Sequence, residues 1–77
     1  MSAPPSAGAG EIDVIANGEP RGVPDGITLA AFVEVLNLPG SRVAVELNGR
    51  LVPRERFPSV VLAAGDRLEV VTLVGGG

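Results

Sequence analysis

The chain has no cysteine, histidine, tryptophan, tyrosine or lysine, and its one sulfur atom is that of Met1. These absences remove whole classes of chemistry. Without a thiol or an imidazole there is no Cys/His nucleophile pair, no Ser-His triad, no zinc cluster and no disulfide framework. Only two aromatics are present, Phe32 and Phe57, so the core must be aliphatic and its margin small, about 3–5 kcal/mol for a scaffold of this size. Positive charge is scarce as well: six arginines face nine acidic residues, giving a net charge of −3. That balance weighs against a nucleic-acid partner, whose phosphates require a basic surface. No apolar run is long enough to span a bilayer, and the N-terminus lacks the basic start and apolar stretch of a signal peptide. The expectation is a cytoplasmic protein with no membrane partner.

What is present fits one domain. A chain of 77 residues leaves no room for a second core. Residues 1–10 read MSAPPSAGAG, with almost nothing to bury, and are expected to be a disordered tail. The domain is expected over residues 11–74, followed by a flexible tail of Gly75, Gly76 and Gly77. From Glu11 the pattern turns to alternation. Ile12, Val14 and Ala16 lie on one side of a strand, Asn17-Gly18 follows as a turn, and a short second strand runs from Pro20 to Val23. Thr28 suits a helix N-cap, and Leu29, Phe32, Val33 and Leu36 form one stripe at helical spacing. This helix should stop near Asn37 or Leu38, because Pro39-Gly40 cannot continue it. Val43, Val45 and Leu47 then alternate up to Asn48-Gly49, a strong hairpin signal ahead of Arg50-Leu51-Val52. Residues 53–58 read as an irregular crossover with Phe57 tucked beneath it, and 59–64 are ambiguous. A last strand is expected from Arg67 to Leu73 or Val74.

One stripe on one helix must pack on one face of a sheet. The order ββαβββ therefore predicts an α+β fold, a β-grasp or ubiquitin-like roll with a mixed sheet of four to five strands. The feature that carries chemistry is the ending Val74-Gly75-Gly76-Gly77. Glycines without Cβ atoms form a thin thread able to enter a narrow slot. A terminal carboxyl, with a reference pKa of roughly 3.3–3.7, is ionised at neutral pH and a poor electrophile. Joining it to the α-phosphate of ATP would supply a leaving group, and a sulfur donor could then attack the acyl carbon to leave a thiocarboxylate at Gly77.

These residues resemble the ThiS family, the sulfur carriers of thiamine biosynthesis. The likeness lies in NGEP at Asn17 to Pro20, VAVELNGRLVPR at Val43 to Arg54, GDRLEVV at Gly65 to Val71, and the final VGGG. It implies adenylation by a ThiF-type adenylyltransferase that uses ATP, sulfur from a donor enzyme, and delivery to a ThiG-type thiazole synthase. It implies no cofactor bound by this chain and no enzymatic activity of its own. A sulfur carrier for another pathway (molybdopterin, tRNA thiolation or cysteine) and a ubiquitin-like protein modifier are the alternatives.

Strand parity places Leu68, Val70 and Thr72 on one face of the last strand and Val71 and Leu73 on the other. With the first face toward the helix, Ile15, Ala44, Val71, Leu73 and Val74 are predicted to form an apolar docking strip beside the tail. Arg54 and Arg56 read as solvated. Glu34, Glu46 and Glu69 show no pairing that calls for acid–base work, so no catalytic residue and no metal ligand is predicted.

Overall fold

Two Asn-Gly turns organise the sheet. In both, asparagine and glycine have positive φ, at 51° and 83° for Asn17-Gly18 and 53° and 86° for Asn48-Gly49. This is the geometry whose twist matches a two-residue hairpin, and Asn-Gly adopts it at least cost. The computed structural model describes residues 10–38 and 42–73. The first turn joins β1 (Glu11–Ala16) to β2 (Glu19–Pro24), and the second joins β3 (Arg42–Leu47) to β4 (Arg50–Val52). β2 is one residue longer at each end than the sequence predicts. Its prolines did not truncate it because β2 is the edge of the sheet, where a missing N–H can face solvent.

Between the hairpins runs α1 (Leu29–Val35). The Thr28 hydroxyl accepts the Ala31 N–H at 3.1 Å, as the N-cap reading requires. The helix closes earlier than predicted, with Leu36 as its C-cap. Asn37 is the cause: it turns left-handed at φ 55°, and its N–H bonds the Glu34 carbonyl at 3.0 Å. The stop is therefore made by Asn37 before Pro39 is reached.

The crossover after β4 is a 3-10 helix, Arg54–Ser59, which lowers the buried Phe57 ring toward α1. Residues 59–64 resolve into an anchor at the helix entrance. The Leu29 N–H donates to the Val60 carbonyl and the Leu62 N–H to the Ile27 carbonyl, while Leu62 itself is buried. β5 (Arg67–Leu73) then enters the middle of the sheet. The order is β2-β1-β5-β3-β4, with β5 parallel to β1 and antiparallel to β3. This is the mixed five-stranded β-grasp sheet with one α-helix.

The core is aliphatic around two rings. Val14, Leu29, Phe32, Val45 and Leu68 are almost wholly buried, and Val23, Phe57, Leu62 and Val70 complete the layer between sheet and helix. Gly10 is tied to the end of β2. Gly10 accepts the Asp25 N–H at 2.8 Å, and a Cβ there would stand 2.6 Å from that of Asp25.

Candidate functional site: the outer sheet face and the root of the tail

β5 is the element that points toward the C-terminus, and it is fastened on both sides. At its start, the Asn48 side chain accepts the Arg67 N–H at 2.9 Å and donates to the Asp66 carboxylate at 3.1 Å. The other Asp66 oxygen accepts the Ala63 N–H at 2.8 Å, and the Asp66 carbonyl accepts the Ile15 N–H at 2.8 Å. Farther along, β1 ends and its turn takes over. The Asn17 side chain accepts the Val70 N–H at 2.7 Å and donates to the Val70 carbonyl at 3.2 Å. One amide thus does for Val70 what a neighbouring strand does elsewhere. Beyond it, among the described residues, β5 pairs with β3 alone.

The sequence assigned both asparagines to turns only. Their second role depends on contacts to residues 18 to 53 positions away, which no local pattern reveals. The carbonyl and amide of an asparagine side chain match the acceptor and donor of a peptide group, and that match was the available hint.

Parity decides which side chains of β5 are free. Leu68 and Val70 are buried against the helix, whereas Val71 is 53% and Leu73 47% exposed. Ala44 stands opposite Val71, and Arg42 opposite Leu73. The structure therefore brings Ala44, Val71 and Leu73 together, with Leu51, 68% exposed on the neighbouring β4. Ile15 is not among them. The β1–β5 register sets it against Arg67, four residues from Val71 along β5, so the apolar strip is not continuous across the sheet. A one-strand topology prediction gives neighbours, but only the register gives their offset. Val74, Gly75, Gly76 and Gly77 lie outside the described residues.

Between Ile15 and Val71 the outer face carries charge. Glu69 stands directly opposite Glu46, which itself faces Leu51 on β4. A shallow depression of about 160 Å³ is lined by Ala44, Glu46, Leu51, Glu69 and Val71. The two carboxylates show no relation in the sequence, and the register makes them neighbours. Arg54 and Arg56 are both exposed.

A larger depression, about 480 Å³, lies on the opposite side, between α1, β3 and the 3-10 helix, with Phe57 at its floor. Leu38, one of its walls, adjoins residue 39, which lies outside the described residues. Among the described residues no group of three or more acidic side chains could hold a metal ion, and no helix is long and apolar enough to cross a membrane.

Comparison with known proteins agrees with this architecture. The ThiS family model matches residues 12–77. A Pyropia yezoensis protein described as uncharacterized protein ycf40 is 44% identical over 66 residues, covering 86% of this chain and 93% of that one. Thiazole synthases of Paramagnetospirillum magneticum and Magnetococcus marinus are 36% and 41% identical over 64 and 61 residues. Those matches cover 83% and 79% of this chain but only 20% and 19% of the synthases. The crystal structure of a Geobacter metallireducens thiamine biosynthesis protein, ThiS, superposes with a TM-score of 0.73 at 29% identity, covering 86% of this chain and all of that one. With a family match over nearly the whole folded unit and a shared sheet and helix, the chain belongs to the ThiS family, the sulfur carriers of thiamine biosynthesis.

Proposed function

We propose that this chain carries sulfur as a thiocarboxylate on Gly77 and delivers it to a thiazole synthase. The observation that carries the reading is the family match, which runs from the first strand through the last glycine. The fold supports it by holding β5 on both sides up to Val70 and leaving Val71 and Leu73 exposed where a partner can reach the root of the tail. The matched segment within the two thiazole synthases is a reason to choose that enzyme as the acceptor.

The steps follow from carboxyl chemistry. A Gly77 carboxylate oxygen attacks the α-phosphorus of ATP in a ThiF-type enzyme, pyrophosphate leaves, and an acyl adenylate forms. The outer sulfur of a donor enzyme's persulfide then attacks the acyl carbon and AMP leaves, giving an acyl disulfide. A second thiol attacks the donor's sulfur and breaks the S–S bond, which leaves the thiocarboxylate on Gly77 and a disulfide on the donor side. The carrier supplies no acid or base. Its parts in the reaction are a glycine thread narrow enough for the slot and a docking face that brings the thread there. Ala44, Val71 and Leu73, with Val74 beside the thread, are the proposed docking residues, and Ile15 is left out because of its register.

Intact mass after incubation with the cognate ThiF-type enzyme, ATP and a sulfur donor tests this. The expected product has one carboxyl oxygen replaced by sulfur, and a chain extended by one residue beyond Gly77 should not be loaded. Equal loading of the extended chain would overturn the reading.

A further inference from the structure

Free strand edges are blunted at two places on this sheet and open at a third. An edge offers its N–H and C=O groups to any extended chain, and proline or a very short strand closes that route. On β2 the two-residue turn makes Ala16 and Glu19 the first hydrogen-bonded pair, so positions 20, 22 and 24 face outward, and prolines fill the first and last of them. β4 is three residues long and ends against Pro53. The third edge is the β1 side of β5, which alternate residues use. The Asp66 carbonyl accepts the Ile15 N–H and the Leu68 carbonyl the Asn17 N–H, each at 2.8 Å, and both backbone groups of Val70 bond the Asn17 side chain. Thr72 is the next residue with this orientation. Among the described residues nothing reaches its N–H or carbonyl from that side, whereas β3 still pairs along the opposite edge, Val43 with Thr72 and Arg42 with Leu73. Thr72 is exposed and carries no charge to repel a neighbour.

The chemistry of this edge names its occupant. A donor and an acceptor on extended backbone are complementary to another extended backbone, which adds as a strand. Asn17 sets where such a strand begins, because its amide already fills the edge at Val70. Position in the chain says whose strand it is. Thr72 lies five residues before Gly77, a span of about 17 Å at full extension, so an enzyme whose reacting groups meet the Gly77 carboxyl has its surface within that distance of Thr72. We propose that the adenylating enzyme that loads Gly77 adds an extended segment of its own chain to β5 at Thr72, starting where the Asn17 clamp ends. The assignment rests on the carrier function above, in which loading is the step that needs the tail held in line with the α-phosphorus of ATP. Contact through Val71 and Leu73 is non-directional. Backbone pairing at Thr72 supplies the missing register, fixing how far the thread reaches into the slot.

The test is amide exchange of the full chain, labelled with nitrogen-15 and read by NMR, alone and with saturating cognate adenylating enzyme. In the free chain the Thr72 N–H should exchange faster than that of Val71, which faces β3, and in the complex it should slow about tenfold or more. A pair of variants checks the consequence for loading. T72P removes the edge N–H, and KM for the chain should rise about tenfold. G22P removes an outward N–H from β2 and should load as the parent does. Thermal melting is recorded for both, and where T72P melts below the parent a synthetic chain with N-methylated Thr72 takes its place, since methylation removes the donor and keeps the side chain. Unchanged Thr72 exchange in the complex overturns the proposal, as does a parental KM for T72P or an equal loss in G22P. Protection of Thr72 in the free chain that grows with concentration also overturns it, by assigning the edge to a second copy. Loading of the parent at Gly77, read by mass, is scored separately. A chain that binds the enzyme and protects Thr72 without being loaded would sink the carrier reading and leave the strand pairing standing, and a loaded chain with Thr72 unprotected would do the reverse.

Discussion

The two faces of the sheet solve opposite problems. The inner face, with Val14, Val45, Leu68 and Val70 against Leu29 and Phe32, is closed by the fold itself. The outer face, with Ala44, Leu51, Val71 and Leu73 around two glutamates, is left open. The inner face lowers the free energy of the isolated chain. The outer face leaves Leu51, Val71 and Leu73 exposed and contributes little burial to the isolated chain. Strand parity thus separates the face that stabilises the chain from the face proposed for docking, so neighbouring residues of β5 point to different surroundings.

The sharpest break of that separation comes from the inner face. Leu68→Ala should lose about 3 kcal/mol or more, comparable with the whole margin of a domain this small, and unfold much of the population in a denaturant titration. Asn17→Ala comes next. It removes both hydrogen bonds to Val70 and puts alanine at a left-handed φ, for a loss of about 2 kcal/mol. Amide exchange at Val70 should accelerate more in this variant than at Val45, because the clamp is local. Gly10→Ala joins a positive φ to a 2.6 Å clash with Asp25 and should cost about 1–2 kcal/mol in the same titration. Gly18→Ala, with open space around its Cβ, should cost only the backbone strain, about 1 kcal/mol. On the outer face, the double change Val71→Ser and Leu73→Ser should move stability by less than about 1 kcal/mol. Its effect belongs to binding: loading by the adenylating enzyme should fall while the melting curve stays close to that of the parent. Intact folding together with intact loading would remove these two residues from the docking face.

Much of this was legible in the residues. Alternation at Ile12, Val14 and Ala16 and at Val43, Val45 and Leu47 gave β1 and β3, and the stripe from Leu29 to Leu36 gave the helix. Where the reading failed, a local rule met a competitor. A strand from Pro20 to Val23 is expected, yet β2 runs from Glu19 to Pro24, because an edge strand tolerates proline at both positions. Pro39 was given the helix stop, yet the left-handed Asn37 acts first. Residues 59–64 had no periodicity because their bonding is to the helix entrance rather than to a strand partner in the sheet.

The sequence by itself determined which residues could face each way, where the chain had to turn, and that its own side chains lack thiol, imidazole and lysine amine groups. These are consequences of side-chain period, of φ preferences at Asn-Gly, and of composition, all of them local or additive. Tertiary structure alone decided the offsets between strands. It moved Ile15 away from Val71, set Glu46 against Glu69, and let Asn17 reach Val70. Register between distant strands depends on the packing of the whole layer and is invisible to any rule that looks along one strand at a time.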